Sequence, residues 1–249
     1  MASGTWDNGD SGSGTWEFDE SSATLIISGS GIMPNYTSST TSSQPWYDVR
    51  QDTKILIITG VTQIGDYSFN DMSNLEEVEI GDSVKYIGNP DASLGGHVFQ
   101  QSNLKKIVFG HSVEFIGYQS FWYCSKLVNI YFKGSQPTMG GSEAKFGSNT
   151  IYMYDNFELG TGSSNHVTAT VYTTGWGSDE VFTSPVRGDY TTFIYETWTP
   201  PEPESKSPEI PVNVSGSWKS STPYVNVDGT WKEVTAVYVN VDGTWKETK

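Results

Sequence analysis

Three stretches of this sequence repeat one another in phase. Val61 to Phe69 reads VTQIGDYSF, Val113 to Phe121 reads VEFIGYQSF, and between them Val84, Ile87 and Gly88 start the same pattern, which resumes at Val98 and Phe99. Each of the last two is led in by a second shared segment, Leu75 to Ile80 and Leu104 to Phe109, and Leu127 to Phe132 opens a fourth copy. A period of this size marks a stack of supersecondary units that cannot bury their apolar faces singly and do so only against their neighbours. The chain is therefore constrained to a solenoid, whose extended surface suits the holding of something large. Leu104 and Leu127 are 23 residues apart but Leu75 and Leu104 are 29, because Asn89 to His97 interrupts the second copy as a surface loop.

Within a unit, Val78 and Ile80, or Ile107 and Phe109, sit two apart, which predicts short strands with one face inward. Successive strands pair in parallel. Val84, Ile87 and Phe99, like Val113, Ile116 and Phe121, turn inward again, so equivalent side chains pile into ladders, with Phe69, Phe99 and Phe121 as one column. Gly65, Gly88 and Gly117 each follow an isoleucine, where a turn needs positive φ or a close approach between coils.

The unit Leu-x-x-Val-x-Ile-x-x-x-Val-x-x-Ile-Gly-x-x-x-Phe resembles the BspA-type leucine-rich repeat, a family of mostly bacterial surface proteins. Gly14 to Phe18, Thr24 to Gly29, Met33 to Tyr36 and Pro45 to Tyr47 resemble the β-rich lead-in common in such proteins, so the resemblance covers about residues 14–137. It implies adhesion to proteins, cells or polysaccharides without naming a ligand. Many family repeats carry a cysteine three residues after the phenylalanine. Here only Cys124 does, with Met72 and Ser102 in the other two places. One cysteine forms no internal disulfide, and this one reads as a small core hydrophobe.

Composition agrees with β-structure rich in turns. There are 26 glycines in 249 residues, 14% of residues are aromatic and only 17% are charged, which argues against helices and against disorder. No run approaches the length of a membrane span, and the residues after Met1 lack the basic and apolar regions of a signal peptide. Either a signal has been removed or none is used, and a protein without one can leave its cell in a virus particle. The net charge of −15 opposes binding to phosphate backbones and anionic lipid, while serving solubility equally well.

Beyond the repeats, loops at Gly140, Gly160 to Asn165 and Gly175 separate alternating segments Thr150 to Tyr154, Val167 to Tyr172 and Thr191 to Tyr195, which read as the closing section of the solenoid. Thr199 to Pro211 is a proline- and glutamate-rich spacer. The tail carries a second repeat system around Trp218, Trp231 and Trp245. Asp228-Gly229 and Asp242-Gly243 supply the positive-φ pairs of type I′ hairpin turns. Tandem hairpins of this kind resemble segments of phage virion and prophage proteins. Since a lone hairpin is marginal in water, these are expected to anchor or oligomerise through Trp218, Trp231 and Trp245.

The predicted fold is mainly β: a short leucine-rich-repeat β-solenoid with a β-rich N-terminal lead-in and a C-terminal cap, then a Pro-rich spacer and small tandem β-hairpins. Its divisions are a lead-in at 1–50, repeats at 51–137, a cap at 138–198, a linker at 199–211 and hairpins at 212–249.

Chemistry is hard to place in it. His97, His111 and His166 have no partners at ligand spacing, no Gly-x-Ser-x-Gly elbow occurs, and Glu76 and Glu77 read as a solvated strand face. Asp7 to Asp10 lacks the full ligand series of a calcium loop. Arg187-Gly188-Asp189 matches an integrin tripeptide but also a plain turn, and Asn35 and Asn213 match glycosylation acceptors without a eukaryotic secretion signal. The expectation is a non-enzymatic protein with no cofactor and no metal. Tyr118, Trp122 and Tyr123 fall outside the buried ladder and, with His97 in the neighbouring loop, form the expected ligand patch. The expected partners are a host or cell-surface protein or glycan, and other virion subunits or further copies through the hairpins, with no nucleic acid and no membrane insertion. A phage or prophage fibre or decoration protein is the leading reading, located on a virion surface or extracellularly. A bacterial cell-surface adhesin and an accessory carbohydrate-binding module are the alternatives.

Overall fold

The computed structural model describes residues 1–92, 95–140, 157, 159, 166–176 and 191–200, and the backbone of six strands between 210 and 247. The chain divides into two compact units, Met1–Pro200 and Pro201–Lys249.

The first unit begins with an antiparallel meander of β1 (Ala2–Asp7), β2 (Gly12–Asp19) and β3 (Thr24–Ile32). The tetrapeptide Ser-Gly-Thr-Trp occurs at Ser3 to Trp6 and again at Ser13 to Trp16. Pairing places Gly4 opposite Trp16 and Trp6 opposite Gly14. A Cβ on Gly14 would come within 2.7 Å of the Trp6 indole, and one on Gly4 within 2.6 Å of the Trp16 nitrogen, so each glycine makes room for the opposing ring. Asp7 to Asp10 forms the turn between β1 and β2, with the Gly9 N–H donating to the Asp7 carboxylate at 2.8 Å.

From β3 onward the pairing is parallel. β4 (Ile55–Ile64), β5 (Glu77–Ile80), β7 (Lys106–Phe109), β9 (Asn129–Phe132), β11 (Val167–Thr173) and β12 (Thr191–Thr197) follow in that order across one sheet. A second parallel ladder joins the far end of β4 to β6 (Tyr86–Ile87), β8 (Phe115–Ile116) and β10 (Thr138–Met139). The expected β-solenoid is thus the observed fold, and β11 and β12 extend its sheet by further parallel strands. Inward residues stack in register as Leu56, Val78, Ile107, Ile130 and Val171, and as Ile58, Ile80, Phe109 and Phe132, all buried.

The phenylalanine column is longer than the repeats show. Trp46 stacks on Phe69 at 5.3 Å, Phe69 on Phe99 at 5.8 Å, Phe99 on Phe121 at 5.3 Å and Phe121 on Phe157 at 4.7 Å. Tyr36 meets Trp46 edge-on at one end, and Phe193 meets Phe157 edge-on at the other. Of the three repeat glycines, only Gly88 has a positive φ, at +86°. Gly65 and Gly117 are required by proximity: a Cβ would lie 1.8 Å from the Pro34 carbonyl oxygen and 2.5 Å from that of Gly95. Cys124 is fully buried. Its Sγ donates to the Phe99 carbonyl at 3.2 Å, and burial pushes the thiol up to about 11.

In the second unit three antiparallel pairs form separate two-stranded sheets: β13 (Ile210–Val214) with β14 (Ser217–Ser221), β15 (Tyr224–Val227) with β16 (Thr230–Glu233), and β17 (Tyr238–Val241) with β18 (Thr244–Glu247). Trp218, Trp231 and Trp245 stand opposite Asn213, Asn226 and Asn240 in the three registers. The side chains of these tryptophans lie outside the described residues. So do the Asp-Gly turns, the segment Thr150 to Tyr154 and the Arg187-Gly188-Asp189 motif.

Candidate recognition surface

Each coil carries a third ladder centred on its column phenylalanine. The residues two before it, Tyr67, His97 and Gln119, have φ of 56°, 54° and 52°. Those two after it, Asp71, Gln101 and Tyr123, have φ of 55°, 59° and 61°. A left-handed conformation costs a residue with a Cβ roughly 1 kcal/mol or more, and here hydrogen bonds between coils hold it in place. Tyr67, Phe69 and Asp71 donate their N–H groups to the carbonyls of Gly96, Val98 and Gln100. His97, Phe99 and Gln101 donate in turn to those of Tyr118, Ser120 and Trp122, all within 3.0 Å.

This backbone sets the rings outside the core. The His97 imidazole lies flat on the Tyr67 ring, with centroids 4.6 Å apart, and meets Tyr118 edge-on at 5.5 Å. Its Nδ1 stands 3.0 Å from the Gln100 side-chain oxygen, which accepts, leaving Nε2 of the neutral ring as an acceptor. Burial holds the imidazole below its ordinary range, and the Gln100 bond only partly offsets this. Burial, with the neighbouring Asp66 charge, raises the Tyr67 phenol. Trp122 and Tyr123 stack on each other at 3.8 Å. The four residues singled out in the sequence therefore fall into two ring pairs, His97 with Tyr118 and Trp122 with Tyr123, and all four are half-buried. The sequence reading missed Tyr67, although its ring completes the His97 stack.

The interruption of the second coil is shorter than the sequence indicated. Gly96 bridges Tyr118 and accepts from Tyr67, so Gly96 and His97 belong to the coil and the excursion runs from Asn89 to Gly95. It leaves and returns at one point, because a Cβ on Gly88 would lie 2.8 Å from the Gly96 Cα.

The outward face of the long sheet changes character along its length. On β5 and β7 it carries Glu77 paired with Lys106 at 3.1 Å, beside Glu76 paired with Lys105 at 2.8 Å. Farther on, Tyr131 and Tyr172 stack in register at 4.3 Å with Trp198 edge-on to Tyr131. Period-two alternation in Leu127 to Phe132 and Val167 to Tyr172 places both tyrosines outward, a signal the sequence contained. Among the described residues no group of three or more His, Cys, Asp or Glu side chains is arranged to hold a metal ion.

Residues 39–151 match the family model described as the BspA type leucine rich repeat region, in six copies. This stretch is similar to BspA-type leucine-rich repeat regions. A search of curated proteins finds no match. Among solved structures, a leucine-rich repeat protein from Eubacterium ventriosum ATCC 27560 is similar at 19% identity and a TM-score of 0.34, over 80% of this chain and 60% of that one. The leucine-rich repeat protein of T. pallidum, TpLRR, is similar at 16% identity and a TM-score of 0.22, over 63% of this chain and 67% of that one. The matched residues run beyond the three full units and the partial fourth seen in the sequence, and no Ile-Gly-x-x-x-Phe segment occurs in the added residues at either end. Among the described residues no helix is long and apolar enough to cross a membrane.

Proposed function

We propose that this chain is a non-enzymatic recognition protein displayed on a virion or cell surface, in which the BspA-type solenoid presents aromatic rings to a surface protein or glycan. The observation that carries this reading is the ladder flanking the phenylalanine column. It holds Tyr67, His97, Tyr118, Trp122 and Tyr123 on a backbone cross-linked from coil to coil. Rings held in this way lose little freedom on binding, which is what makes aromatic anchors effective. The resemblance of the tail hairpins to virion segments favours a fibre or decoration protein, anchored or oligomerised through the strands that carry Trp218, Trp231 and Trp245. The BspA-type repeats favour the second reading, a bacterial cell-surface adhesin.

The test is binding of the full chain to a glycan array and to intact bacterial cells, with Trp122→Ala and His97→Ala alongside. Loss of at least about tenfold in affinity is expected for an anchor ring worth more than 1 kcal/mol. Undiminished binding by both variants would move the site elsewhere on the solenoid. Mass spectrometry of purified virions separates the two locations, since absence of the chain from particles would leave the adhesin reading.

A further inference from the structure

The carboxylate of Asp66 is half-buried and makes no ion pair with any described residue, yet it accepts the backbone N–H of Asn89. The Asn89 nitrogen stands 2.7 Å from Oδ1, and across the neck the residue after Asp66, Tyr67, donates its N–H to the Gly96 carbonyl at 3.0 Å. Asn89 and Gly96 are the first residue of the Asn89–Gly95 excursion and the first after it. Asp66 is itself fixed from the preceding coil, with its N–H donating to the Asn35 side-chain oxygen at 2.9 Å and its carbonyl accepting from Tyr36 at 2.9 Å. Adjacent residues of one coil, Asp66 and Tyr67, thus hold Asn89 and Gly96 respectively. No side chain fits at the neck: a Cβ on Gly88 would lie 3.2 Å from the Asp66 Oδ1 as well as against Gly96.

We propose that Asp66 and Tyr67 form a clasp at the neck of this loop, the Asp66 carboxylate holding Asn89 and the Tyr67 N–H holding Gly96, and that the Asp66 half of it helps to position His97 on Tyr67 within the recognition surface. The chain supports this coupling directly, because Asp66 is bonded to Tyr67 and Gly96 to His97, so the clasp and the ring stack are adjacent rungs of one ladder. The importance of the stack rests on the recognition reading above, but the clasp does not. Burial raises the Asp66 pKa despite the N–H bonding that opposes it, so the charge is held at a cost to the fold. Tyr67 and His97 are the titratable groups beside it, and His97 is mostly neutral near pH 7. A costly charge that organises its neighbours is a positioning group, not a stabilising one.

The experiment is residue-resolved amide exchange on the full chain, with Asp66→Ala and Asp66→Asn compared with the parent. In Asp66→Ala, exchange at Asn89 should rise by about tenfold or more, the loss of one net hydrogen bond to a charged group. The His97 ring resonances should shift as the stack on Tyr67 loosens, while Val78 and Ile107 keep their protection. Asp66→Asn retains one acceptor oxygen and should fall between the two, with global stability no lower than the parent. Neck exchange within about twofold of the parent in Asp66→Ala would overturn the clasp. An equal rise at Val78 and Ile107 would do the same, by showing general loosening instead of local release. No ligand is needed, so a failed clasp leaves the recognition reading standing, and failed binding leaves the clasp.

Discussion

Replacing Phe99 probes the column on which the solenoid is built. The ring is fully buried between Phe69 and Phe121, with centroids at 5.8 and 5.3 Å and interplanar angles of 12° and 19°. Leucine keeps most of the volume and apolar area, so Phe99→Leu isolates the ring-to-ring contribution. Two stacked pairs at about 0.5–1.5 kcal/mol each predict a loss of about 1–3 kcal/mol. Phe99→Ala removes the side chain as well and should cost about 3–5 kcal/mol. The position is central, and coils stack as a one-dimensional array, so a void there weakens both flanking interfaces.

Tryptophans lie in both units of the chain, and total fluorescence would mix two transitions. Urea unfolding is better followed through the amide signals of Val78 and Ile107, which belong to the inner ladder beside the column. A Phe99→Leu variant within about 0.5 kcal/mol of the parent, the range of an inert surface change, would refute the reasoning. Aromatic stacking would then add nothing beyond apolar filling.

Two further outcomes follow from buried groups. Cys124, with its thiol raised to about 11 and its Sγ bonded inside the core, should resist iodoacetamide at pH 8 in the native chain and react fully in denaturant; stoichiometric labelling of the native chain would contradict its burial. Asp66 has a folded pKa raised by burial, so the folded state binds the extra proton more readily than the unfolded one. The parent's stability contribution from this group is fully present below the unfolded value of about 3.9 and is lost as pH rises through the folded value. Denaturation of the parent and Asp66→Asn across pH should therefore show the variant's advantage near pH 7 shrinking on acidification. A widening advantage would mean that the N–H bonding outweighs burial.

The parts of the fold legible in the sequence are those where one residue type answers one physical demand at a fixed interval. Val78 and Ile80 alternate because one strand face is dry, and Phe69, Phe99 and Phe121 recur because a ring must meet a ring. Trp46 and Phe157 continue the same column but escape the pattern, since no Ile-Gly segment precedes either of them. The left-handed turn positions were illegible for a different reason. Tyr67, Gln119, Gln101 and Tyr123 have no intrinsic preference for positive φ, and the conformation is imposed by hydrogen bonds to a neighbouring coil that no local window contains. The site inherits that blindness: the sequence places His97 in the loop because its neighbours along the chain are loop residues, whereas its neighbours in space are Tyr67 and Tyr118.

The start of the third ladder shows how the fold closes an end that would otherwise offer unpaired carbonyls to another chain. In the coils of His97 and Gln119, the carbonyls three and one residues before the phenylalanine accept N–H groups from the preceding coil: Gly96 and Val98 in one, Tyr118 and Ser120 in the other. In the coil of Phe69 the matching carbonyls are those of Asp66 and Ser68. The first accepts the Tyr36 N–H, and the second accepts the Trp46 indole N–H at 3.1 Å. Side-chain amides cap two further carbonyls of this coil, with Gln44 donating to that of Tyr67 at 2.7 Å and Gln51 to that of Asp71 at 2.8 Å. A buried carbonyl must be paired, and an exposed row of them templates aggregation. Trp46 therefore meets two demands at once, stacking under Phe69 with its face and satisfying Ser68 with its edge, which no aliphatic residue at that position does. The lead-in is thus part of the support of the proposed recognition surface, because the rung that it terminates is the one carrying Asp66 and Tyr67.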